Sequence, residues 1–328
     1  MASVIIAGVG SYAPPRIVTN EELSKTVDTT DEWIRSRSGI RERRIAAPDE
    51  ACSDMAVHAA RAALADAKVT AADIDLLIIA TATPDTPLPS TACYVQHKLG
   101  VPPHATCFDI AAACSGFLYA LEIAYGQLLT NRYKRALIIG SEKLSSVTDW
   151  TDRTTCVLFG DAAGAAVLHK VDQPGIGILG SDLGADGEFA DNLYISAGGS
   201  KRPADAKSVE ERGHCIRMNG REVFKSAVRV METVAREMME QHHLTPDQIN
   251  LVIPHQANIR IIEALAASLK VPMERVYVNL DRFGNTSSAS IPLALDEARR
   301  SGRIKPGDLT LLVAFGAGLT YGSTLIRW

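Results

Sequence analysis

An internal repeat constrains the fold of this 328-residue chain more than any other feature of its sequence. Four segments of the first half recur in the same order in the second half, at an offset of roughly 170 residues. The pairs are 73–79 with 248–253, 99–102 with 269–272, Cys114 with Asn285, and 135–140 with 309–314. Four ordered pairs indicate a duplicated α/β unit. We therefore predict an N-terminal half, residues 1–172, and a C-terminal half, residues 173–328, that pack about a pseudo-twofold axis.

Cys114 lies where strand-like sequence changes to helical sequence. Apolar residues precede it, and apolar residues recur after it at helical spacing as far as Leu128. The small residues Ala111–Ala113 and Ser115–Gly116 leave the sulfur uncrowded. A helix N-terminus carries unpaired N–H groups and partial positive charge, which lower the pKa of a thiol. We therefore interpret Cys114 as a nucleophile, although most free cysteines are small buried residues.

His255 and Asn285 occupy two further strand-to-helix turns. His255 follows the apolar strand 251–253, and Asn285 precedes an apolar helix. Taken singly, a histidine is more often structural, and an Asn-Thr-Ser-Ser segment is typical of helix capping. Cys114, His255 and Asn285 together form a Cys-His-Asn set, and two halves related by a pseudo-twofold axis would bring them into one pocket.

Composition and glycine patterns exclude several classes of protein. The chain is 46% apolar and 22% charged with a net charge of −4, as in a soluble globular protein that does not bind nucleic acid. Its six cysteines include no Cys-x-x-Cys pair, which fits a reducing cytoplasm and argues against a metal cluster. No apolar run approaches the length of a membrane span. Neither Gly8-Val9-Gly10 nor the glycines of 159–166 complete a nucleotide-binding motif.

Eight motifs spread over essentially the whole chain resemble the β-ketoacyl-acyl carrier protein synthase III family of the thiolase superfamily. The motifs are IAGVGSYAP (6–14), TDEWI (30–34), SGIRER (38–43), ACSGF (113–117), FGDAAGA (159–165), PHQAN (254–258), GNTS (284–287) and FGAG (315–318). Their order and spacing make the resemblance specific. It implies a thiolase-like α/β fold of five αβαβα layers, built from two pseudo-twofold halves.

The resemblance also implies the reaction and the roles of the catalytic residues. Cys114 would take the acyl group of a primer acyl-coenzyme A and pass it to decarboxylated malonyl-acyl carrier protein. Acetyl-coenzyme A is the first candidate for the primer, and a short or branched acyl-coenzyme A is the second. His255 and Asn285 would stabilise the enolate, and the backbone N–H groups of Cys114 and Ala317 would form the oxyanion hole. Many members have glycine at position 317. The reaction needs no metal or redox cofactor, because the coenzyme A thioester is a substrate.

Substrate-binding residues follow from the same resemblance. Trp33, Arg37 and Arg153 match the residues that hold the adenine of coenzyme A, and a second group matches the pantetheine channel. The channel group is Gly220, Phe224, Ala257 and Asn258. A basic rim would contact the acidic carrier protein. The residues assigned to it are Gln256, Ala257, Asn258, Ile259, Arg260 and Lys225.

Leu88 matches the loop residue that, in this family, crosses to the neighbouring subunit and closes the acyl pocket. The resemblance therefore implies a homodimer, and a pocket whose primer preference the sequence does not define. A related condensing or acyl-transfer enzyme of secondary metabolism stays open as an alternative. A papain-like protease is disfavoured because its cysteine signature is missing. A catalytically silent subunit is disfavoured because thiol, imidazole and amide are all present.

Overall fold

The computed structural model describes residues 2–328, and its regular elements alternate between strand and helix along the chain. The strands are β1 (Ser3–Tyr12), β2 (Arg16–Thr19), β3 (Glu42–Ile45), β4 (Leu76–Ala80), β5 (Thr106–Ile110), β6 (Arg135–Glu142), β7 (Ala162–Val171), β8 (Gly177–Ala185), β9 (Leu193–Ile195), β10 (Ile216–Met218), β11 (Leu251–Pro254), β12 (Leu309–Gly316) and β13 (Thr320–Arg327). The helices are α1 (Asn20–Leu23), α2 (Asp31–Ser38), α3 (Cys52–Ala67), α4 (Thr91–Leu99), α5 (Gly116–Leu129), α6 (Ala206–Glu210), α7 (Gly220–Gln241), α8 (Ile259–Leu269), α9 (Leu280–Phe283) and α10 (Ser290–Arg300).

Two larger sheets repeat one topology. The first has the strand order β1-β7-β6-β4-β5, and the second has the order β11-β12-β13-β8. In each sheet a parallel pair, β4–β6 or β11–β12, continues into two antiparallel strands. The first sheet has one extra edge strand, β5, whose counterpart is reduced to a single parallel bridge between Val252 and Val276. The predicted duplication is therefore confirmed at the level of the sheets.

The sheets and helices stack in five layers. Helices α3 and α4 cover the outer face of the first sheet, while α5 and α10 cover its inner face. Helix α5 also contacts β8, β12 and β13, so α5 and α10 form a shared central layer. Helices α7 and α8 close the outer face of the second sheet. The order α-β-α-β-α confirms the expected architecture.

Burial on both faces explains the composition of the central elements. Strands β4 and β11 are continuous apolar runs because helices cover both of their faces. Helix α5, held between the two sheets, buries Phe117, Leu118 and Leu121 completely. Helix α7 faces solvent on one side and buries only one apolar face. No helix within residues 2–328 is both long enough and apolar enough to cross a membrane.

The turns before α5 and α10 correct the register of the repeat. Each is a short 3₁₀ turn, 113–115 or 287–289, that begins with a residue in the left-handed region. Ala113 has φ +46° and Ser287 has φ +49°. The structural counterpart of Cys114 is therefore Ser288, and the predicted pairing of Cys114 with Asn285 is wrong by three residues. The two turns share backbone geometry but too little sequence for the alignment to be set from residues alone.

Candidate active site

Cys114 sits in the turn between β5 and α5, at the centre of the molecule. The turn is fixed by Ser115, whose hydroxyl bonds the carbonyl of Ala112 at 2.8 Å and the hydroxyl of Thr320 at 2.7 Å. Thr320 begins β13 in the other half of the chain. Contact between the halves therefore holds the cysteine in place, as the sequence repeat predicts.

Two cavities meet at Cys114. The first has a volume of about 230 Å³ and an almost entirely apolar wall. Its main lining residues are Leu144, Val147, Phe159, Leu193, Ile195 and Ile216. The second is narrower, with a volume of about 90 Å³, and contains His255 and Asn285 as well as Cys114. The structure thus brings the three predicted catalytic residues to one channel, with a separate apolar compartment behind the thiol.

His255 is buried and neutral. It follows β11, and its backbone N–H donates to the carbonyl of Val313 at 2.8 Å. Its Nδ1 lies 2.7 Å from the Ser290 hydroxyl, and its ring meets Phe315 edge-on with centroids 5.5 Å apart. Burial lowers the pKa of the imidazole to about 3, so no charge develops on it near neutral pH. Within the described residues Nε2 has no hydrogen-bond partner, which leaves it available to a ligand.

Asn285 is held by its backbone and by one side-chain bond. Its N–H donates to Leu158 O at 2.8 Å, and its carbonyl accepts from Gly160 N–H at 3.0 Å. Its Oδ1 accepts from the Ser287 N–H at 2.8 Å. These bonds fix the amide orientation, so the Nδ2 donors are left for a molecule in the channel.

The Cys114 thiol is protonated in this state, contrary to the expectation from its position near a helix start. Burial raises its pKa to about 12, the Ser287 hydroxyl lowers it, and the carboxylate of Glu142 raises it further. The thiol is 8% exposed. Loss of hydration therefore outweighs the positive potential of the α5 N-terminus.

Gly316 brings the turn at 316–318 against the nucleophile. A Cβ atom at this position would lie 2.7 Å from the Cys114 nitrogen and 3.0 Å from Thr320 Oγ1, so only glycine fits. The next residue, Ala317, lines the apolar cavity beside Cys114. Two backbone N–H groups can therefore converge next to the sulfur, which is the arrangement that an oxyanion hole needs.

Comparison with known proteins decides the family. Residues 108–187 match the model of 3-oxoacyl-[acyl-carrier-protein (ACP)] synthase III, and residues 239–328 match the model of its C-terminal part. A β-ketoacyl-[acyl-carrier-protein] synthase III of Caldanaerobacter subterraneus is 54% identical over 98% of this chain and 97% of its own. One from Symbiobacterium thermophilum is 53% identical with the same coverage. The chain belongs to the β-ketoacyl-acyl carrier protein synthase III family.

Solved structures of synthase III enzymes share the fold. The enzyme of Aquifex aeolicus superposes with a TM-score of 0.91 at 48% identity, covering 99% of this chain and all of the other. A priming β-ketosynthase from a polyketide pathway superposes with the same TM-score at 40% identity, covering 99% of this chain and 96% of its own. The expected thiolase-like architecture is confirmed by these matches and by the five layers.

The residues expected to hold coenzyme A in a synthase III fall into two groups. The guanidinium carbons of Arg37 and Arg153 are 4.8 Å and 5.4 Å from the centroid of the Trp33 ring. All four residues expected in the pantetheine channel line the narrower cavity. They are Gly220, Phe224, Ala257 and Asn258. The structure thus groups the three adenine-site residues in one cluster and the four channel residues around the narrower cavity, and their role in binding coenzyme A stays a prediction.

Gln256 is not a surface residue, and its assignment to a carrier-protein contact is wrong. It is 1% exposed, and it bonds Pro254 O at 2.8 Å, Tyr277 O at 3.0 Å and Asn279 N at 3.0 Å. Its role is to fix the segment behind His255. Ala257 is likewise buried.

The other residues of the predicted rim reach the surface. Asn258 and Ile259 are partly exposed, and Arg260 is exposed. Arg260 donates to the carbonyl of Ser36 at 2.8 Å, and Lys225 is exposed and paired with Glu222 at 2.9 Å. Their role in a carrier contact stays a prediction.

Leu88 lines neither cavity of its own chain. It is 86% exposed on the loop between β4 and α4, as a residue that closes a neighbour's pocket would be. Sequence reasoning assigned no role to Ser290, Phe315 or Glu142. Phe315 stands inside the FGAG motif and Ser290 lies three residues after the GNTS motif. Glu142 has one sequence signal, a carboxylate that ends the apolar strand β6.

Proposed function

We propose that this chain condenses an acyl-coenzyme A primer with malonyl-acyl carrier protein through an acyl-enzyme on Cys114, the step that initiates fatty acid biosynthesis. The observation that carries the proposal is the position of Cys114 between an apolar cavity and a channel containing His255 and Asn285. A role in secondary metabolism is less favoured, because the polyketide priming enzyme is 40% identical to this chain whereas the synthase III of Caldanaerobacter subterraneus is 54% identical.

Acylation uses the end of the channel. The Cys114 sulfur attacks the thioester carbon, the carbon–sulfur bond to coenzyme A breaks, and the thiol proton ends on the departing sulfur. The Cys114 and Ala317 N–H groups stabilise the oxyanion of the intermediate. The acyl chain then occupies the apolar cavity, which keeps water away from the new thioester.

Condensation uses the other two side chains. The malonyl thioester loses carbon dioxide, and the electron pair of that bond forms an enolate whose oxygen accepts from His255 Nε2 and Asn285 Nδ2. A Ser290 hydroxyl that donates to Nδ1 leaves the imidazole proton on Nε2, as this role requires. The enolate carbon attacks the acyl group, and the Cys114 thiolate leaves. Neutral donors suit a charge that exists only in the transition state and intermediate.

Primer size is the finer part of the proposal. Acetyl-coenzyme A is the first candidate, in line with the sequence prediction. The cavity of about 230 Å³ favours the second candidate, a short or branched primer larger than acetyl. An apolar cavity of roughly 150 Å³ holds benzene, so an acetyl methyl group would leave most of this one empty unless a neighbouring subunit fills it.

A homodimer would supply that neighbour. Strand β5 is the outer strand of the first sheet and pairs only with β4. Its Phe108 and Ile110 are partly exposed, and Leu88 projects from the loop that follows the adjacent strand. An unprotected edge with apolar side chains supports pairing with a second copy.

Mass spectrometry of the acyl-enzyme tests the proposed function. Incubation with acetyl-, butyryl- and isobutyryl-coenzyme A should add the corresponding acyl mass to the peptide that contains Cys114, and malonyl-acyl carrier protein should then remove it. Cys114→Ala should give no adduct, because the nucleophile is absent.

Cys52→Ala is the matched control. Cys52 is also buried, and burial raises the pKa of its thiol to about 12, but it lines neither cavity. This variant should acylate like the native chain. An acyl adduct on any residue of the Cys114→Ala variant would refute the assignment of the nucleophile.

A further inference from the structure

Glu142 is a buried carboxylate for which the mechanism above has no use. It ends β6, is completely buried, and has no ion-pair partner among residues 2–328. Its Oε2 accepts from Thr83 Oγ1 at 2.8 Å and from Ala82 N–H at 3.0 Å. Its Oε1 lies 2.9 Å from the hydroxyls of both Ser287 and Ser288. Hydrogen bonds from both halves of the chain thus converge on a single side chain.

Ser287 connects this carboxylate to the site. Its hydroxyl donates to Glu142, its N–H donates to Asn285 Oδ1 at 2.8 Å, and its side chain lines the apolar cavity beside Cys114. Its φ of +49° lies in the left-handed region, which is unfavourable for a non-glycine residue. Such a conformation persists only where the surroundings fix it, and here Glu142 and Asn285 do so.

The loop on the other side of Glu142 belongs to the same site. Thr83 and Ala82 line the apolar cavity together with Cys114. The Thr83 hydroxyl also accepts from Lys143 N–H at 2.8 Å, so the loop has a single fixed arrangement around the carboxylate. Glu142 therefore lies between the acyl compartment and the turn that orients Asn285.

We propose that Glu142 is a positioning residue that couples the Cys114 thiol to the Asn285 amide through Ser287. The hydrogen bonds keep the Ser287 turn, and therefore Asn285, aimed into the channel. Burial raises the pKa of the Glu142 carboxyl, and the hydrogen bonds from Thr83, Ala82, Ser288 and Ser287 lower it. In its ionised form this carboxylate disfavours the Cys114 thiolate of the unliganded enzyme. The proposal concerns the residues of the proposed synthase III site and rests on that function for its catalytic meaning.

Few other charges act on this cluster. Besides the Cys114 thiol, the narrower cavity contains the His255 imidazole, which is neutral. Cys52 contacts the Thr81 hydroxyl at 3.5 Å, and burial raises its pKa to about 12, so it is uncharged as well. The Lys143 ammonium bonds the backbone carbonyls of Ala47 and Glu50, away from the cavity. Asp85 accepts hydrogen bonds from the Ser53 N–H at 2.8 Å and the Ser53 hydroxyl at 2.5 Å.

The rate of Cys114 alkylation by iodoacetamide as a function of pH tests the coupling. Glu142→Gln keeps the shape of the side chain and removes its charge. In this variant the midpoint of the alkylation rate against pH should move to lower pH. Alkylation at neutral pH should be about tenfold faster, which corresponds to a decrease of one unit in the pKa of Cys114. Asp296→Asn is the matched control, because Asp296 is a buried carboxylate whose partners are Ser11 and Arg300. An unchanged Glu142→Gln profile, or an equal shift in Asp296→Asn, would overturn the proposal.

Ser287→Ala tests the hydrogen bond between Glu142 and Ser287 by removing the donor instead of the acceptor. This variant is also the alternative if Glu142→Gln does not fold. Loss of the hydroxyl that stabilises the thiolate should move the alkylation midpoint to higher pH, and decarboxylation should fall more than primer loading. A native-like profile would overturn the coupling. Alkylation requires no substrate, so these results stay informative even if the mass-spectrometric test rejects the synthase function.

Discussion

His255 and Cys114 show that single residues in this site are tuned by burial. Both are uncharged near neutral pH, because burial lowers the pKa of the imidazole and raises that of the thiol. The unliganded site thus holds no separated charge on these two groups. Charge appears in turn during the reaction, first on the acyl oxyanion and then on the enolate, and each time neutral donors are already in place.

Replacement of His255 or Asn285 by alanine should separate the two half-reactions. The enolate charge is absent until carbon dioxide leaves, so condensation should slow by about 10²–10³-fold, as for loss of an oxyanion donor elsewhere. Single-turnover acylation of Cys114 should stay within about tenfold of the native rate. Stopped-flow release of coenzyme A measures acylation, and radiolabelled carbon dioxide measures decarboxylation. Equal losses in both steps would contradict the assigned roles.

At the scale of elements, short turns rather than helices or strands define the site. The turns 113–115, 287–289 and 317–319 each adjoin a core element. Each contains at least one non-glycine residue with positive φ, namely Ala113, Ser287 and Leu319. The elements on either side are buried and rigid. They hold the turns in conformations that an isolated peptide would leave.

Gly316→Ala should damage this arrangement. The added Cβ would meet the Cys114 nitrogen at 2.7 Å, so one of the two turns must shift and acylation should slow by about 10²–10³-fold. Overpacking should lower the free energy of unfolding by about 1–3 kcal/mol.

Gly126→Ala is the control for that variant. A Cβ atom at Gly126 in α5 would meet nothing within 4 Å. Urea unfolding should show unchanged or slightly increased stability, since alanine favours a helix, and acylation should be native-like. Native acylation by Gly316→Ala would contradict the proposed oxyanion geometry.

At the scale of the whole molecule, the site exists only because two halves meet. Cys114 comes from the first half, His255 and Asn285 come from the second, and Glu142, Ser287 and Thr320 hold them together. If a second copy completes the acyl pocket, assembly also becomes part of primer recognition. We propose the boundary at residues 172 and 173, between the last strand of the first sheet and the first strand of the second.

Leu88 tests the role of assembly. If it closes a partner's pocket, Leu88→Phe should penalise longer and branched primers, and Leu88→Ala should favour them. A methylene in an apolar pocket is worth about 1–3 kcal/mol, so primer ratios should change about 10- to 200-fold. Competition between acyl-coenzyme A primers measures these ratios, and sedimentation measures the dimer. A fully active monomer, or ratios unaffected by both substitutions, would refute this role.

The pH dependence of the free energy of unfolding should also reveal the buried imidazole of His255. Burial lowers the pKa of His255 from 6.5 to about 3, so the unfolded chain binds this proton at a higher pH than the native state does. The contribution of His255 to the free energy of unfolding is therefore lost as the pH falls below the pKa of this imidazole in the unfolded chain. Between pH 7 and 5, the free energy of unfolding should fall by about 2 kcal/mol more in the native chain than in His255→Asn. Urea titrations at the two pH values check this, and parallel pH dependence would contradict it.

The sequence by itself determined the duplicated fold, the Cys-His-Asn set and the family. These follow from local patterns, since apolar runs specify buried strands and the family motifs stand at their ends. The resemblance also grouped Trp33 with Arg37 and Arg153 and placed Phe224 in the channel, and their role in binding coenzyme A stays a prediction.

Only the tertiary structure decided the register of the repeat, the burial of Gln256 and the protonation of Cys114. A turn that is conserved in backbone shape leaves little trace in sequence, so Ser288 and not Asn285 proved equivalent to Cys114. Exposure depends on what packs above a residue, and Gln256 is covered by Tyr277 and Asn279 from elsewhere in the chain. A pKa depends on hydration and nearby charges in three dimensions. The enclosure of the thiol and the approach of Glu142 arise only when the two halves pack together.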